Sequence, residues 1–407
     1  MTKGKIAYVM SRFPHLSETF ILREMLEMKH LGWEVSVYPL IRQRQAVVHP
    51  QAQAFLARAK DMRLFSARVI LANLSEFIHH PSLYLSTAAR AIWGNRTSLR
   101  FLLRVCVIFP KSVAMARDMR RESIRHVHAH YATHPALAAW IIHHLTGIPY
   151  SVTVHAHDIY VEKAMLPCKL KDASFISSIS EFNRDYLVDQ VDRGLDEKIH
   201  IVRCGVLPEN YQPDHRVRSS QTFELINIGS LQPYKGQKYL IQACAILQKR
   251  GVPVHCRIIG GGELHSELFA QISASNLGEC VELLGPRTQE EVAEMLPTAD
   301  VYIQPSIITS SGKMEGIPVG IMEAMVCTVP VVATLISGVP ELVQDHSTGL
   351  LVPPEDAAAL ADAIEKLYRE PAFACELAAH GRDRVLQQYN LHTNVQELSS
   401  LIEKSML

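Results

Sequence analysis

The sequence predicts an α/β protein of two consecutive Rossmann-like domains, each a doubly wound parallel sheet, facing one another across a cleft. Three observations carry this. Short apolar runs alternate with helix-compatible segments along nearly the whole chain, as in β–α–β units that lay down parallel strands. The alternation lapses once, at "VRCGVLPENYQPDHRVRSSQ", into the Pro-, Asn-, Asp- and Ser-bearing composition of a linker. At 407 residues the chain is also too long for one ordinary core.

The first half opens on an apolar run, "KIAYVM", then the loop "SRFPHLSE" and the helical pattern "TFILREMLEMKHLG". Gly32 is a helix stop, and "WEVSVYPL" reads as the next strand. Residues 46–125 read as mostly helical. Strand-like runs return at "RHVHAHY", "YSVTVH" and "SFISSIS", each followed by a helix-compatible segment. After the linker the alternation restarts. Strand "FELINIGS" leads to helix "GQKYLIQACAILQKRG", and strand "VHCRIIGGG" to helix "ELHSELFAQISASN". "CVELLG", "DVYIQPS", "VPVVAT" and "GLLVPP" are the remaining strands, with helices from "TQEEVAEMLPTA", from Pro318 and from "DAAALADAIEKLY". The domains read as 1–205 and 206–388, with a separate helical segment at 389–407. Ligands of such sheets bind beyond the carboxyl ends of the strands.

Net charge is zero, but residues 1–205 carry 27 Lys+Arg against 17 Asp+Glu, and residues 206–407 carry 14 against 24. The two halves therefore meet different surroundings. Nine basic residues lie between Arg90 and Arg125, against only Asp118 and Glu122. Within that stretch "LRFLLRVCVIFPKSVAMARDMRR" fits an interfacial helix on anionic lipid and, equally, a core helix with a solvated basic face. No recognised nucleic-acid motif accompanies the charge. The eight cysteines form no CxxC pair, which fits a reducing cytosol. The opening run is strand-like rather than leader-like. No apolar stretch approaches the roughly 20 residues of a spanning helix. A cytoplasmic protein is the expectation.

Residues 313–325, "KMEGIPVGIMEAM", place Glu315 and Glu323 eight positions apart around Gly316 and Pro318. Pro318 suits the first residue of a helix. The unpaired amides of that first turn and the positive dipole end form an anion site, and Gly316 lets the backbone approach a ligand. Glu315 then precedes the helix and Glu323 lies inside it. The two carboxylates flank an anion that carries hydroxyl groups on both sides.

"EGIPVGIMEAM" resembles the E-x7-E signature of retaining glycosyltransferases of family 4, which have the GT-B fold, and the resemblance spans nearly the whole chain. "NIGSLQPYKGQKYLIQA" is similar to that family's strand, loop and helix with a diphosphate-binding lysine, here Lys235, after Gly229. "IIGGGEL", "LLGPRTQEEVAEMLPTADVYIQPS" and "SGVPELVQDHSTGLLVPPEDAAALADAI" resemble its later blocks. "TVHAHDIY" resembles its T-x-H-x-x-D strand end, and "FPHLSETFILREM" resembles the opening of members that assemble exopolysaccharides such as colanic acid. The resemblance implies that Glu323 takes the donor's ribose hydroxyls and that Glu315 contacts the transferred sugar near its anomeric carbon. Gly316, Ile317 and Pro318 would lie where the distal phosphate meets the backbone, and Lys235 would neutralise the diphosphate. His155 would sit near sugar and acceptor, with Asp158 as its partner. The segment 389–407 would cross back to the first domain, as the last helix of GT-B members commonly does.

Two departures stand out. Family members usually carry an arginine where this chain has Ser230, leaving Arg203 or Arg287 as stand-in cations. The glycine-rich loop after the first strand is replaced by "SRFPHLSET", where Ser17 or Thr19 can cap the helix and Glu18 can point into the cleft.

The chemistry implied is departure of a nucleoside diphosphate, UDP or GDP, from an anomeric carbon through an oxocarbenium-like transition state, with retention by same-face attack. Lys235 and the amides at 316–320 would stabilise the leaving charge. The acceptor implied is a lipid-linked oligosaccharide. With no D-x-D motif in the chain, the expectation is no cofactor and no metal. His126, His128, His130 and His134 in "HVHAHYATH" suggest a metal site, but no carboxylate or cysteine is in register with them; His130 is instead placed near the acceptor. A nucleotide-sugar epimerase and a non-catalytic scaffold of a polysaccharide-assembly complex are the alternatives. A nicotinamide-linked dehydrogenase is weaker, since no G-x-G-x-x-G follows the first strand.

Overall fold

Buried on both faces, parallel strands read as continuous apolar runs; the described residues form twelve strands, the eleven runs read above and a short one, Ile199–Ile201, too brief to show a pattern. The computed structural model describes residues 3–14, 19–43, 52–56, 58–213 and 222–407. It divides into two compact units, Met1–Val202 with Leu391–Leu407, and Arg203–Asn390.

The first unit holds β1 (Gly4–Phe13), β2 (Trp33–Arg42), β3 (His126–His130), β4 (Tyr150–Val154), β5 (Phe175–Ser178) and β6 (Ile199–Ile201). They form one sheet in the order β2-β1-β3-β4-β5-β6, and every neighbouring pair is parallel. β3 and β4 are buried at every position, because helices cover both faces. The closing helix Leu391–Lys404 packs on the helix Thr19–His30 of the same unit. Trp33 Nε1 donates to Ser399 Oγ at 2.8 Å, and His392 Nδ1 pairs with Glu27 at 2.9 Å.

The second unit holds β7 (Phe223–Ile228), β8 (Val254–Ile259), β9 (Val281–Gly285), β10 (Val301–Gln304), β11 (Val331–Thr334) and β12 (Leu350–Val352). The order is β12-β11-β10-β7-β8-β9, again parallel throughout. Chain order reverses between β7 and β10, the point beyond whose carboxyl ends such sheets bind their ligands. Two apolar clusters, one around Leu240, Ile258 and Ile364 and one around Ile226, Tyr302 and Met325, hold the sheet between its helices.

The stretch 99–121 is one helix, Leu99–Arg121, and its two halves differ. From Ile108 onward it is largely buried, as the core reading has it, while Leu99, Leu103 and Val107 face water. Among the described residues no helix is long and apolar enough to cross a membrane.

Candidate functional site

The loop that leaves β7 carries Gly229, Ser230 and Lys235. A short turn, Pro233–Lys235, folds the lysine back so that its methylenes pass over Gly229, 3.3 Å from where a Cβ would stand. Gly236 then takes a left-handed φ of +67°, and a Cβ there would collide with the Pro305 carbonyl. Only glycine makes that turn while the two loops stay this close. Lys235 Nζ forms a tight ion pair with Glu315, on the loop after β10; the side chains are 14% and 11% exposed. Burial pulls the ammonium down, but the charge and hydrogen bond of Glu315, with Tyr234, outweigh it and hold Lys235 above the ordinary lysine range. The two residues singled out as phosphate cation and sugar carboxylate thus face each other at the point where the strand order reverses.

Ser337 Oγ donates to the carbonyls of Glu315 (2.7 Å) and Gly316 (3.0 Å), which fixes the loop that bears them. Gly316, Ile317 and Pro318 are buried. The helix begins at Val319 with Pro318 at the cap position, one residue later than the sequence suggests, and runs to Val326. Gly320 lies against the Tyr302 hydroxyl, where any Cβ would clash. Glu323, 6% exposed, accepts at Oε1 from Tyr211 Oη (2.6 Å) and from Gln289 Nε2 (2.7 Å).

Tyr211 and Gln289 escape the sequence reading for different reasons. Tyr211 lies in the segment read as a linker, yet it is 3% exposed and packed into the second unit. Gln289 opens the helix Gln289–Met295, whose capping box of Thr288 and Glu291 is legible in "TQEE", but nothing local marks Gln289 as a partner of Glu323.

Ser230 stands where the family's arginine would be, and its carbonyl accepts from Gln237 Nε2 (3.2 Å). Of the two stand-in cations, Arg203 pairs with Glu341 (3.3 Å) and lies over the Tyr389 ring, and Arg287 is exposed and donates to the Pro286 carbonyl. The cation placed on the β7 loop is Lys313. It donates to Gln232 Oε1 (2.7 Å) and lies over the Tyr234 ring at 4.3 Å, with Lys235 5.4 Å from that ring. A turn closed by Thr309, which bonds both the amide and the carbonyl of Lys313, presents it.

In the first unit, alternation along β3 does put His126, His128 and His130 on one face, and hydrogen bonds join them to β4. Ser405 donates its hydroxyl to the Ile402 carbonyl (2.7 Å), so His126 Nδ1–H donates to Ser405 Oγ (2.9 Å). Ser151 then donates to His126 Nε2 (2.7 Å), His128 Nδ1–H donates to Ser151 (2.8 Å), and Thr153 donates to His128 Nε2 (3.0 Å). This order needs both imidazoles neutral. Burial provides it, holding His126 down to about 3 and His128 well below the usual range. His130 Nε2–H donates to Glu24 Oε1 (3.0 Å), which also accepts from Tyr8 (2.8 Å). Burial raises the Glu24 carboxyl, but the charge and hydrogen bond of His130, with the hydrogen bond from Tyr8, draw it down to about 2.

Glu24 corrects one expectation, that no carboxylate is in register with these histidines. It comes from the helix Thr19–His30 rather than from the sheet, and its ligand atom lies within 4.8 Å of those of His128 and His130. The signal was present in the sequence: Glu24 takes the i+3 place in the stripe Ile21, Met25, Met28, which is wholly buried. The same three atoms would serve a divalent cation, and each now holds or receives a proton.

His155, 7% exposed at the end of β4, stands with Nε2 3.3 Å from His130 Nδ1 and is held down to about 3 by burial. Asp158 meets His155 at the backbone. It accepts from the amides of Ala132 (2.8 Å), His155 (3.2 Å) and Ala156 (2.8 Å) and so ties the ends of β3 and β4 together. His157 is exposed, and His134 stacks on Phe101 beside Arg104. Glu18 and Ser17 lie outside the described residues.

Residues 212–384 match the family described as glycosyl transferases group 1. The amylovoran biosynthesis glycosyltransferase AmsK of Erwinia amylovora is 35% identical over 208 residues, 51% of this chain and 51% of that protein. WcaL of Escherichia coli (strain K12), named for colanic acid biosynthesis, is 36% identical with the same coverage. The chain thus spans about half the length of the curated relatives it matches. Among solved structures, sucrose-phosphate synthase from Thermosynechococcus elongatus superposes with a TM-score of 0.74 at 19% identity, covering 99% of each chain. Anabaena Alr3699/HepE, solved with UDP and glucose, gives 0.71 at 17% identity over 97% of this chain and 98% of its own. These likenesses identify the fold as GT-B.

Proposed function

With residues 212–384 a glycosyltransferase group 1 domain, we propose that the chain moves a sugar from a UDP- or GDP-linked donor to a lipid-linked oligosaccharide in bacterial exopolysaccharide assembly. The observation that carries this reading is the largely buried Lys235–Glu315 pair, built on the two loops where the strand order of the second unit reverses, with Glu323 in the helix that follows the Glu315 loop. In this reading the second unit, 203–390, binds the donor and the first unit receives the acceptor. Family 4 membership and retention of configuration belong to the proposal, as does activity without a metal. So does work at the inner face of the plasma membrane, with peripheral contact to anionic lipid.

The chemistry follows from the residues in hand. Departure of the nucleoside diphosphate builds negative charge on its distal phosphate. Lys235, already charged and fixed against Gly229, meets that charge without reorganising. The first amides of the Val319–Val326 helix add their dipole. Glu315 holds Lys235 in place and presents its carboxylate to the sugar as the anomeric carbon becomes cationic. Glu323, oriented by Tyr211 and Gln289, takes the ribose hydroxyls. His155 and His130 hold the acceptor side, and Asp158 sets the backbone that carries them. A donor phosphate oxygen takes the acceptor's proton, so no separate protein base is needed.

Lys313 supplies the second diphosphate cation in place of the arginine absent at Ser230. Lys313→Ala is expected to raise KM for the donor about tenfold, roughly 1.4 kcal/mol, with kcat changed less. Steady-state kinetics with a soluble acceptor analogue check it. The proposed function itself is tested by incubating the enzyme with nucleotide sugar, lipid-linked acceptor and EDTA. A lengthened glycolipid with release of the nucleoside diphosphate supports it; a rearranged sugar still attached to its nucleotide would overturn it.

A further inference from the structure

A helix that packs on a soluble domain turns its apolar side inward. The helix Ala67–His79 has its apolar side turned outward. Its inward positions are Val69, Ala72 and Glu76, with Asn73 beside them. The polar groups are used on the inside: Asn73 donates to the Pro110 carbonyl (3.0 Å), Glu76 pairs with Arg120 (3.2 Å), and Arg68 pairs with buried Asp118. Ile70, Leu71, Leu74, Phe77 and Ile78, spaced i, i+1, i+4, i+7 and i+8, form one stripe that is 45–69% exposed. That is a complete apolar face with no partner among the described residues of the unit.

The neighbouring helices extend it. Pro81–Gly94 exposes Leu85, Ile92 and Trp93, and Leu99–Arg121 exposes Leu99, Leu103 and Val107 on successive turns. The Tyr84 ring sits edge-on to Phe77 and Phe109, and its hydroxyl bonds Asn73, which locks the three helices together. Of the twenty large apolar side chains exposed among the described residues, thirteen lie between Phe65 and Val107. Patches of this extent mark an interaction surface rather than ordinary exposure.

Charge identifies the partner. Between residues 63 and 107 Arg63, Arg68, Arg90, Arg96 and Arg100 are exposed and the one carboxylate, Glu76, is buried; Arg63, Arg68, Arg90 and Arg100 pair with Asp61, Asp118, Asp172 and Glu162, each less exposed than its arginine, so the guanidinium groups are the charges turned to water. Arg96 lies 3.8 Å over the Trp93 ring, an aromatic with a cation at its rim. Apolar stripes fringed by arginine, with no exposed acid, match the boundary between acyl chains and anionic headgroups. None of the three helices is built to go deeper, since none can span a bilayer.

We propose that the exposed face of residues 65–107 is a lipid-docking surface that lies in the headgroup region of an anionic bilayer. It relocates the contact suggested by the basic stretch 90–125, whose second half is core. The inference rests on the proposed function only for the place of the acceptor, and binding to lipid is read without any transfer.

The test is co-sedimentation of the whole protein with phosphatidylcholine vesicles, with and without phosphatidylglycerol. Wild type is expected to pellet with the anionic vesicles and to be partly released by salt. Ile70→Ser/Leu71→Ser/Leu74→Ser is expected to weaken partitioning by at least about tenfold, through lost apolar burial. Arg96→Glu/Arg100→Glu removes the preference for anionic lipid. All five positions are exposed and the one ion pair lost, Arg100 with Glu162 at 3.5 Å, is a surface pair, so melting temperature stays close to wild type and donor-induced stabilisation of the second unit is unchanged. That separates failure of this surface from failure of the transferase reading. Indifference of wild type to anionic vesicles would overturn the proposal. So would undiminished binding by the triple variant, or a wild-type dimer that the triple variant converts to monomer, which would make the face a contact between copies.

Discussion

Lys235→Ala is expected to lower kcat/KM for sugar transfer by about 10²–10³-fold, the usual cost of removing one preorganised group from a developing anion. Two consequences of the change need separating. One is loss of charge where the diphosphate leaves. The other is structural: Glu315 is left 11% exposed with its cation gone, which costs about 1–3 kcal/mol of stability in the second unit. Lys235→Ala combined with Glu315→Gln separates them. With no stranded carboxylate the double variant regains most of the melting temperature, while transfer stays at the level of the single variant or lower. Lys235→Arg is not a rescue, because the methylenes pass over Gly229 in a space fitted to a lysine. Recovery of transfer in the double variant would show that Lys235 acts through the fold alone.

The first unit is expected to lose stability steeply as the pH falls below 6.5. Burial holds His126 and His155 at about 3, whereas the unfolded chain protonates at 6.5. His155 also feels Asp158, His130, Glu24 and His157, but burial dominates. The unfolded state therefore binds more protons between 3 and 6.5. Stability is fully present above 6.5 and is lost as the pH drops toward 3. At pH 5 each histidine removes about 2 kcal/mol, so the pair removes about 4 kcal/mol of a typical 5–15. His128 acts in the same direction. Glu24, at about 2 in the fold against 4.5 outside it, adds a further loss as the pH falls from 4.5 toward 2. All three tryptophans, Trp33, Trp93 and Trp140, lie in this unit, so tryptophan emission reports it selectively. The expected result is a red shift between pH 6 and 4. A flat emission profile down to pH 4 would show that the histidines protonate in place.

What the sequence could and could not reveal follows from how far apart the partners lie along the chain. Strand runs and the turn residues of the β7 loop are local, so the two parallel sheets and Lys235 were legible. The E-x7-E spacing is local too, and it located Glu315 and Glu323. Partners brought together by tertiary packing were not. Tyr211 lies 112 residues from Glu323, inside what reads as a linker, and Gln232 lies 81 residues from Lys313. The arginine that the resemblance expects at Ser230 pointed to Arg203 and Arg287 as stand-ins, whereas the turn at Thr309 that delivers Lys313 is not visible in sequence. Glu24 was readable as a polar residue in a buried stripe, but its histidine partners sit on another element. The outward apolar face of Ala67–His79 was hidden for the opposite reason. Its periodicity is that of any amphipathic helix, and only the structure reveals which side meets the core.

The most direct test of the account is thermal stabilisation by a panel of UDP- and GDP-sugars in EDTA, on wild type and Glu323→Ala. At about a hundredfold excess over Kd, one nucleotide class is expected to raise the melting temperature of wild type by roughly 5–10 °C. Glu323→Ala is expected to lose the shift. Absence of a shift with every nucleotide sugar would contradict the account and mark the Lys235–Glu315–Glu323 constellation as a structural ion-pair site without a donor.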